Sequence, residues 1–257
     1  MNNKIVFFDV DNTLYDNSKH KVPLSTKIAL DKLKKDGYAL CLATGREFSF
    51  IPDCVCECIQ WDGYVCCNGQ EIYDRSRKLL RSIYIDNDSI QECCRIASKT
   101  DSTLEIRTER GCFLYNQPTD CFKEAFKFLK RPIWNIDTIN PNDQVKMMLV
   151  SRANGKSYKD FQEIPRIIVS PTVHQYADIN SCMCTKYEGI QFYMKLFNYQ
   201  EYIAVGDSMN DYDMIKNASY SIAMKNGEKA IKEMSDYITD TVTHDGIAIA
   251  VNQILKI

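Results

Sequence analysis

The chain has 257 residues, of which 45% are hydrophobic and 26% charged, and its formal net charge at pH 7 is −2. This balance is typical of a folded globular protein with a sizeable core in one or two domains. The charge provides no basic field for a nucleic-acid backbone, and no apolar stretch approaches the ~18 residues that cross a bilayer. We therefore expect neither nucleic acid nor membrane as a partner, and, without a signal peptide, a cytoplasmic protein.

A buried strand is predicted at the N-terminus, because residues 5–8 are a run of apolar, β-forming side chains. Asp9 and Asp11 follow it at once. Ligands of open parallel sheets bind at the carboxyl ends of the strands, and a hard cation such as Mg²⁺ would relieve the repulsion between two close carboxylates. A simple Asx turn over residues 11–13 is the alternative.

The next segments alternate helix and strand signals. Ser25 is predicted to cap a helix that ends at Gly37. A second buried strand over 39–43 leads into the sequence Thr44-Gly45-Arg46, and a third over 64–67 leads into Asn68. Each of these two strand ends is open to a binding role or to a plain turn.

The predicted secondary-structure pattern changes near residue 78. From there, helical tracts are interleaved with strand-like runs in which apolar and polar residues alternate. The strand-like runs are 104–107, 112–115, 145–150, 167–169 and 173–177, and the helical tracts are 89–99 and 121–129. This pattern predicts an α+β insert on an antiparallel sheet. His174 in the insert is either an ordinary surface or core histidine or a residue that faces a substrate.

The strand and helix alternation resumes near residue 185, with a helix over 187–197 and a buried strand over 202–205. We therefore predict the α/β class: a doubly wound, mainly parallel sheet core with an inserted α+β cap domain. The core domain would comprise residues 1–77 and 185–257, and the cap residues 78–184.

A third polar cluster, Gly206-Asp207-Ser208-Met209-Asn210-Asp211, follows the strand over 202–205. All parallel strands of such a sheet present their carboxyl ends at one edge, so this cluster is expected to meet Asp9, Asp11 and residues 44–46. So many carboxylates in one pocket require a cation. Asn210 could contact phosphate or cap the helix that begins there.

Twelve cysteines call for a choice between disulfides, metal ligands and free thiols. A chain of this length without a signal peptide favours reduced thiols that pack as small apolar side chains. The sequence Cys54-x-Cys56-x-Cys58 lacks the two-residue spacing of zinc sites. Metal binding there is a minor alternative.

The polar motifs, in their order along the chain, resemble those of the haloacid dehalogenase-like superfamily. They are Asp9-Val10-Asp11-Asn12-Thr13, Thr44-Gly45-Arg46, Lys186 and the cluster over 206–211. More narrowly, the chain is similar to the Cof-type phosphatases, whose large cap is inserted between the second and third motifs. Asn12 stands where many relatives carry glycine, and asparagine tolerates the left-handed backbone that such a turn needs.

The resemblance implies that Asp9 is the nucleophile that accepts the phosphoryl group and that Asp11 is the general acid and base. It also implies an Mg²⁺ ion held by Asp9, by the backbone carbonyl of Asp11 and by Asp207, with Asp211 in support.

Thr44, Gly45 and Asn210 would bind phosphate, and Arg46 would either anchor phosphate or act as a capping charge. Lys186 would be the family's phosphate-binding catalytic lysine. Because the family usually has glycine directly after that lysine and this chain has Tyr187, a surface lysine is the alternative.

The implied function is Mg²⁺-dependent hydrolysis of a small phosphorylated metabolite, a phosphomonoester, through an aspartyl-phosphate. Two alternatives stay open: a catalytically idle regulator that binds a phosphorylated metabolite on the same fold, and a sugar-phosphate phosphotransferase.

Overall fold

The computed structural model describes residues 4–125, 133–136, 140, 142–152, 157–171 and 176–256. The chain forms two compact units, one of Met1–Arg81 with Thr185–Ile257 and one of Ser82–Cys184. The first is an α/β core and the second an α+β cap, which confirms the predicted fold class. Among the described residues, no helix has the length and apolar character to cross a membrane.

Strands and helices alternate along the chain. The described strands are β1 (Ile5–Phe8), β2 (Ala39–Ala43), β3 (Gly63–Cys66), β4 (Glu71–Asp74), β5 (Leu79–Ser82), β6 (Thr103–Thr108), β7 (Gly111–Tyr115), β8 (Ile133–Ile136), β9 (Val145–Ser151), β10 (Ile167–Pro171), β11 (Tyr176–Ser181), β12 (Ile203–Gly206), β13 (Tyr220–Ala223) and β14 (Tyr237–Ile238). The described helices are α1 (Leu24–Lys35), α2 (Asp53–Cys56), α3 (Asn87–Thr100), α4 (Asp120–Ala125), α5 (Lys159–Gln162), α6 (Lys186–Phe197), α7 (Tyr212–Lys216), α8 (Lys229–Met234) and α9 (Gly246–Ile254).

The core unit is built on an eight-stranded sheet in the order β14-β13-β12-β1-β2-β3-β4-β5. The pairs from β14 to β3 are parallel, and β4 is antiparallel to β3. β1 is central and buried on both faces: Val6 and Phe8 belong to the apolar cluster that includes α1 and α9, whereas Ile5 and Phe7 belong to the cluster that includes α6 and α7. Burial on both faces explains why its four residues are all apolar.

The cap unit has a six-stranded sheet in the order β10-β11-β9-β6-β7-β8. Its pairs are antiparallel except β7 with β8, which run parallel. One face of the sheet, with Leu104, Ile106, Met148 and Val150, packs in the same apolar cluster as residues of α3. The alternation of apolar and polar residues that predicted these strands therefore reflects a sheet with one helix-covered face.

One local prediction is wrong, and two strands were not predicted. Ser25 does not cap α1, which begins at Leu24 with Pro23 at the N-cap and no side-chain capping bond. Instead, the Ser25 hydroxyl donates to Asp245 Oδ1 at 2.6 Å. The sequence also gave no sign of β4 and β5, which extend the core sheet beyond β3. β4 is Glu71-Ile72-Tyr73-Asp74, with an acidic residue at each end, and β5 is the half-exposed strand at the edge, so neither shows the apolar run of the central strands.

Two predicted elements fall partly outside the described residues. The helix predicted over 121–129 is described as α4 up to Ala125. Residues 173–175 of the strand predicted over 173–177 lie outside the described residues, and its last two residues belong to β11, which continues to Ser181. His174 lies outside the described residues.

Candidate active site

Three adjacent parallel strands deliver polar residues to one edge of the core sheet. β1 lies between β12 and β2, and Asp9, Thr44 and Asp207 directly follow β1, β2 and β12. The hydrogen bonds between neighbouring strands continue into two of these residues. The Asp9 amide donates to Val205 O at 2.9 Å, and the Thr44 amide donates to Val65 O at 2.8 Å. All three residues therefore lie at the carboxyl edge of the sheet, where α/β proteins bind ligands.

Lys186 joins this edge from the first turn of α6. Its ammonium donates to Asp9 Oδ1 at 2.7 Å and to Asp211 Oδ1 at 2.6 Å. The residue is 1% exposed, so the alternative of a surface lysine is wrong. A fully buried lysine that contacts two buried carboxylates is a structural link between the first and last motifs.

Two glycines explain how α6 approaches the sheet closely enough to place Lys186. A Cβ on Gly189 would lie 2.6 Å from Val65 Cγ1 and 2.9 Å from Gly69 Cα, and a Cβ on Gly69 would lie 2.1 Å from the carbonyl oxygen of Thr185. Thr185 is the N-cap, and its side chain and Glu188 form a capping box that fixes the start of the helix. The glycine three residues after Lys186 thus serves the close packing of the helix.

Asp211 organises the loop after β12. Its Oδ2 accepts the amides of Asp207 at 2.9 Å and Ser208 at 3.1 Å, while its Oδ1 accepts from Lys186. Ser208 and Asp211 form a second capping box at the 3-10 turn over Met209–Asp211. Asp211 is completely buried and both of its oxygens are hydrogen-bonded, which suits it to hold the loop in shape.

Asp9, Asp207 and Asp211 each offer a carboxylate oxygen, and these oxygens all lie within 4.8 Å of one another. This is the single group of this kind among the described residues. Three buried carboxylates are opposed by one buried cation, Lys186, which leaves the group with an excess of negative charge. Oxygen ligands with excess negative charge fit a hard divalent cation.

Burial and mutual repulsion raise the pKa of two of these carboxyl groups. The pKa of Asp9 rises to about 7, because burial and the charges of Asp211 and Asp11 outweigh the attraction of Lys186. Burial and the charges of Asp9 and Asp211 raise the pKa of Asp207 to about 9. The pKa of Lys186 is also raised, since its two carboxylate partners outweigh its burial. A divalent cation would reverse the shifts on the two acids.

Asp11 has a different environment from Asp9, because the positively charged side chain that it contacts is Arg46, whereas Asp9 contacts Lys186. Arg46 donates from Nε to Asp11 Oδ2 and from Nη2 to Asp11 Oδ1, both at 2.7 Å. Burial raises the pKa of Asp11, but the hydrogen bonds and the charge of Arg46 outweigh it, so that the pKa lies below its usual value. Asn12 has φ 57°, so the left-handed turn after Asp11 is present.

Gly45, Asn68 and Asn210 lie together beside Thr44. The Asn210 amide donates to Asn68 Oδ1 at 3.0 Å, and a Cβ on Gly45 would lie 3.1 Å from the same oxygen. Asn210 also accepts from the Ser208 hydroxyl at 2.8 Å. Thr44 is buried, and its Oγ1 accepts the Arg46 amide at 3.1 Å. Binding of phosphate by Thr44, Gly45, Arg46 and Asn210 stays a prediction.

Asn226 is a site residue that the sequence analysis missed. Its side-chain amide donates to Asp207 Oδ2 at 3.3 Å and to the carbonyl oxygen of Asn12 at 3.1 Å. It follows β13, another parallel strand of the same sheet. Its position after a buried strand was the available signal, and the rule applied to the other motifs would have found it.

The described cysteines are free thiols, and none belongs to a group that could hold a metal among the residues that the structure describes. Cys54, Cys56 and Cys58 are half-buried, and burial raises the pKa of the Cys58 thiol to about 12. All three pack against the apolar core cluster, as small apolar side chains do.

Comparison with known proteins assigns the chain to a family. A model of the haloacid dehalogenase-like hydrolases matches residues 6–251. The chain belongs to this family. The resemblance drawn from the four motifs is thereby confirmed, and so is the prediction of an enzyme.

Relatives of this hydrolase include named phosphatases. The chain is 25% identical over 252 residues to the 5-amino-6-(5-phospho-D-ribitylamino)uracil phosphatase YcsE of Bacillus subtilis strain 168, and the match covers 96% of this chain and 94% of YcsE. It is 24% identical over 281 residues to the phosphatase YwpJ of the same organism, covering 95% and 97% of the two chains.

Solved structures share its fold over the full length. The subclass IIB sugar phosphatase BT4131 superposes with a TM-score of 0.88 at 24% identity, covering 99% of this chain and 100% of that one. The phosphatase BT1666 from Bacteroides thetaiotaomicron gives a TM-score of 0.86 at 22% identity, covering 99% and 96%.

Proposed function

We propose that this hydrolase is an Mg²⁺-dependent phosphatase that cleaves the phosphomonoester of a small metabolite through an aspartyl-phosphate on Asp9. The observation that carries the proposal is the pairing of Asp9 with Lys186 inside a buried group of carboxylates. A phosphoryl group is an anion that must meet an anionic nucleophile, so the pocket needs cations held in advance.

Asp9 would attack the phosphorus atom with one carboxylate oxygen, forming the Asp9 oxygen–phosphorus bond as the bond to the leaving oxygen breaks. Lys186 holds the carboxylate of Asp9 in place through the 2.7 Å hydrogen bond and offers a positive charge to the transferring group.

Asp11 would protonate the leaving oxygen and then accept a proton from the water that hydrolyses the aspartyl-phosphate. Its carboxyl group is 34% exposed by side chain, whereas that of Asp9 is 6% exposed, so Asp11 is the more accessible to water.

The carboxylates of Asp9 and Asp207 and the backbone carbonyl of Asp11 would hold Mg²⁺, with Asp211 in support. When bound, the ion would supply positive charge that offsets the repulsion between nucleophile and phosphate. The raised pKa of Asp9, about 7, and of Asp207, about 9, supports this assignment, because these acids lack enough positive charge nearby.

Thr44, Gly45 and Asn210 would contact the phosphate oxygens from the end of β2 and the loop after β12. A hydroxyl, an unhindered backbone and a side-chain amide are all suitable phosphate partners. The relatives named for a phosphoribityl compound and for sugar phosphates support a phosphorylated small molecule as the substrate class.

The test is release of inorganic phosphate from p-nitrophenyl phosphate and from a panel of metabolite phosphates, with Mg²⁺ and with EDTA. We expect turnover with Mg²⁺, none with EDTA, and none for Asp9→Asn. Asp31→Asn, which changes an exposed aspartate of α1, is the matched control and should keep full activity.

Two results would replace the proposal. Ligand-induced thermal stabilisation without turnover on any phosphate would indicate a metabolite-binding regulator. Transfer of phosphate to a sugar faster than to water would indicate a phosphotransferase.

A further inference from the structure

The guanidinium group of Arg46 is held on several sides. Nε and Nη2 donate to the two carboxylate oxygens of Asp11 at 2.7 Å, and Nη1 donates to the carbonyl oxygen of Phe50 at 2.9 Å. The guanidinium carbon lies 5.9 Å from the centre of the Tyr15 ring, within the range of a cation–π contact. The side chain is therefore directed at Asp11 and fixed there by groups other than Asp11.

The backbones of both partners are also anchored. The Arg46 amide donates to Thr44 Oγ1 at 3.1 Å, and its carbonyl oxygen accepts the Cys67 amide at 2.9 Å. On the other side, Asp11 forms an isolated bridge with Tyr15. The pair thus connects two backbone segments that are each held by hydrogen bonds, and the position of the Arg46 side chain does not depend on Asp11 alone.

We propose that Arg46 is a positioning residue that orients the carboxyl group of Asp11, and that phosphate binding is not its task; this inference rests on the proposed phosphatase function. Two parallel hydrogen bonds fix the plane of a carboxylate, which a single point charge cannot do. A general acid and base must be held within about 0.5 Å of its working position.

The position of Asp11 makes such an orienting contact necessary. Its side chain is 34% exposed and is not enclosed by packing as Asp9 is. Without the fork of Arg46 the carboxyl group would keep a hydrogen bond from Asn17 but would lose the two contacts that fix its plane, so it could adopt further rotamers.

The buried Lys186 and the half-buried Arg46 have different carboxylate partners, which supports the same role. Lys186 contacts Asp9 and Asp211, the nucleophile and its neighbour, whereas the hydrogen bonds of the Arg46 fork go to Asp11. Each carboxylate oxygen has two lone-pair directions, and the fork uses one on each oxygen. The fork therefore leaves acceptor capacity on Asp11 for a proton from water.

A double-mutant cycle tests the inference, using Asp11→Asn, Arg46→Met and the double variant with p-nitrophenyl phosphate and Mg²⁺. Misplacing a catalytic group by about 1 Å can cost about 100-fold, so we expect Arg46→Met to lower kcat by about that factor. If Arg46 acts through Asp11, the same change in the Asp11→Asn background costs less than about threefold. Costs that multiply in the double variant would overturn the positioning role.

Binding of inorganic phosphate provides a second measurement that needs no activity from the variants. A positioning residue leaves the phosphate dissociation constant of Arg46→Met within about threefold of the wild-type value, whereas loss of a charged phosphate contact weakens binding by about 10-fold or more. Phosphate-induced thermal stabilisation reports this constant. Weakened binding would contradict the inference even if Asp11→Asn is too slow to complete the cycle.

Arg46→Lys separates orientation from charge. It keeps the positive charge but loses the two-point fork, so we expect it to recover less than about a tenth of the activity lost in Arg46→Met. Full rescue by lysine would show that charge alone is needed. Absence of turnover in the wild-type protein contradicts the phosphatase function itself, whereas turnover with multiplying costs contradicts only the role of Arg46.

Discussion

The Lys186 ammonium lies 2.7 Å from Oδ1 of Asp9, although the two residues are 177 positions apart in the chain. The same ammonium reaches Asp211 at 2.6 Å, and all three residues are buried. The contact joins the first strand of the core to the first helix after the inserted cap. The stability of the core and the charge balance of the site therefore depend on one side chain.

Removal of the Lys186 charge should destabilise the protein. Lys186→Met leaves two buried carboxylates without their cation, and breaking a buried ion pair on one side costs about 3 kcal/mol or more. Urea unfolding in EDTA measures the loss. Lys195→Met changes an exposed lysine of the same helix and should alter the free energy of unfolding by less than about 0.5 kcal/mol. Equal effects of the two variants would contradict the buried pairing.

Removal of the Asp207 charge should have the opposite effect in metal-free buffer. The pKa of Asp207 is about 9 in the folded protein and 3.8 ordinarily, so the folded state binds this proton more tightly than the unfolded state. Stability from this group is full below pH 4 and is lost as the pH rises toward 9. In EDTA at pH 8, Asp207→Asn should be more stable than the wild type by about 1 kcal/mol or more. The difference should shrink at pH 5, and a constant difference would refute this explanation.

Mg²⁺ should stabilise the wild-type protein through the same carboxylates. At a free concentration 100 times the dissociation constant, a ligand of the folded state alone adds about 2.7 kcal/mol. Thermal unfolding across a Mg²⁺ titration should show a rising midpoint for the wild type and for Asp31→Asn, and little change for Asp207→Asn. Equal stabilisation of all three proteins would place the ion elsewhere.

Gly189→Ala should destabilise the protein, against the usual trend for a helix. Alanine is favoured over glycine in a helix interior by about 1 kcal/mol. Here its Cβ would meet Val65 at 2.6 Å and Gly69 at 2.9 Å, which forces α6 away from the sheet. We expect a loss of about 1 to 3 kcal/mol, together with reduced hydrolysis because Lys186 moves with the helix. Urea unfolding gives the sign directly, and a more stable variant would exclude this packing constraint.

The sequence was sufficient to predict which polar strand ends meet at one edge of the core sheet. Asp9, Thr44 and Asp207 each follow a short apolar run, and the common direction of parallel strands brings such residues to one edge. The burial of Lys186 was not predictable in this way. It depends on the close contact between α6 and Gly69, which is the last residue of the 3-10 turn over Cys67–Gly69. Sequence spacing alone does not show that a helix can approach so closely.

The sequence was also insufficient to predict that Arg46 pairs with Asp11. A Thr-Gly-Arg motif at a strand end indicates a turn and a charged side chain, but the direction of a long side chain is set by what surrounds it. Here Tyr15 and the carbonyl oxygen of Phe50 direct the guanidinium toward Asp11. These contacts come from the loops after β1 and β2, whose conformation the apolar pattern does not determine.

The position of β1 between β2 and β12 has a consequence for synthesis of the chain. β2 follows β1 within 40 residues, but β12 begins only at Ile203. At ribosomal rates of about 5 to 20 residues per second, the apolar strand Ile5–Phe8 waits roughly 10 to 40 s with one edge unpaired. An unpaired apolar edge is a template for pairing with other chains, so the nascent polypeptide is exposed to such association until β12, which begins at Ile203 of the 257 residues, has emerged.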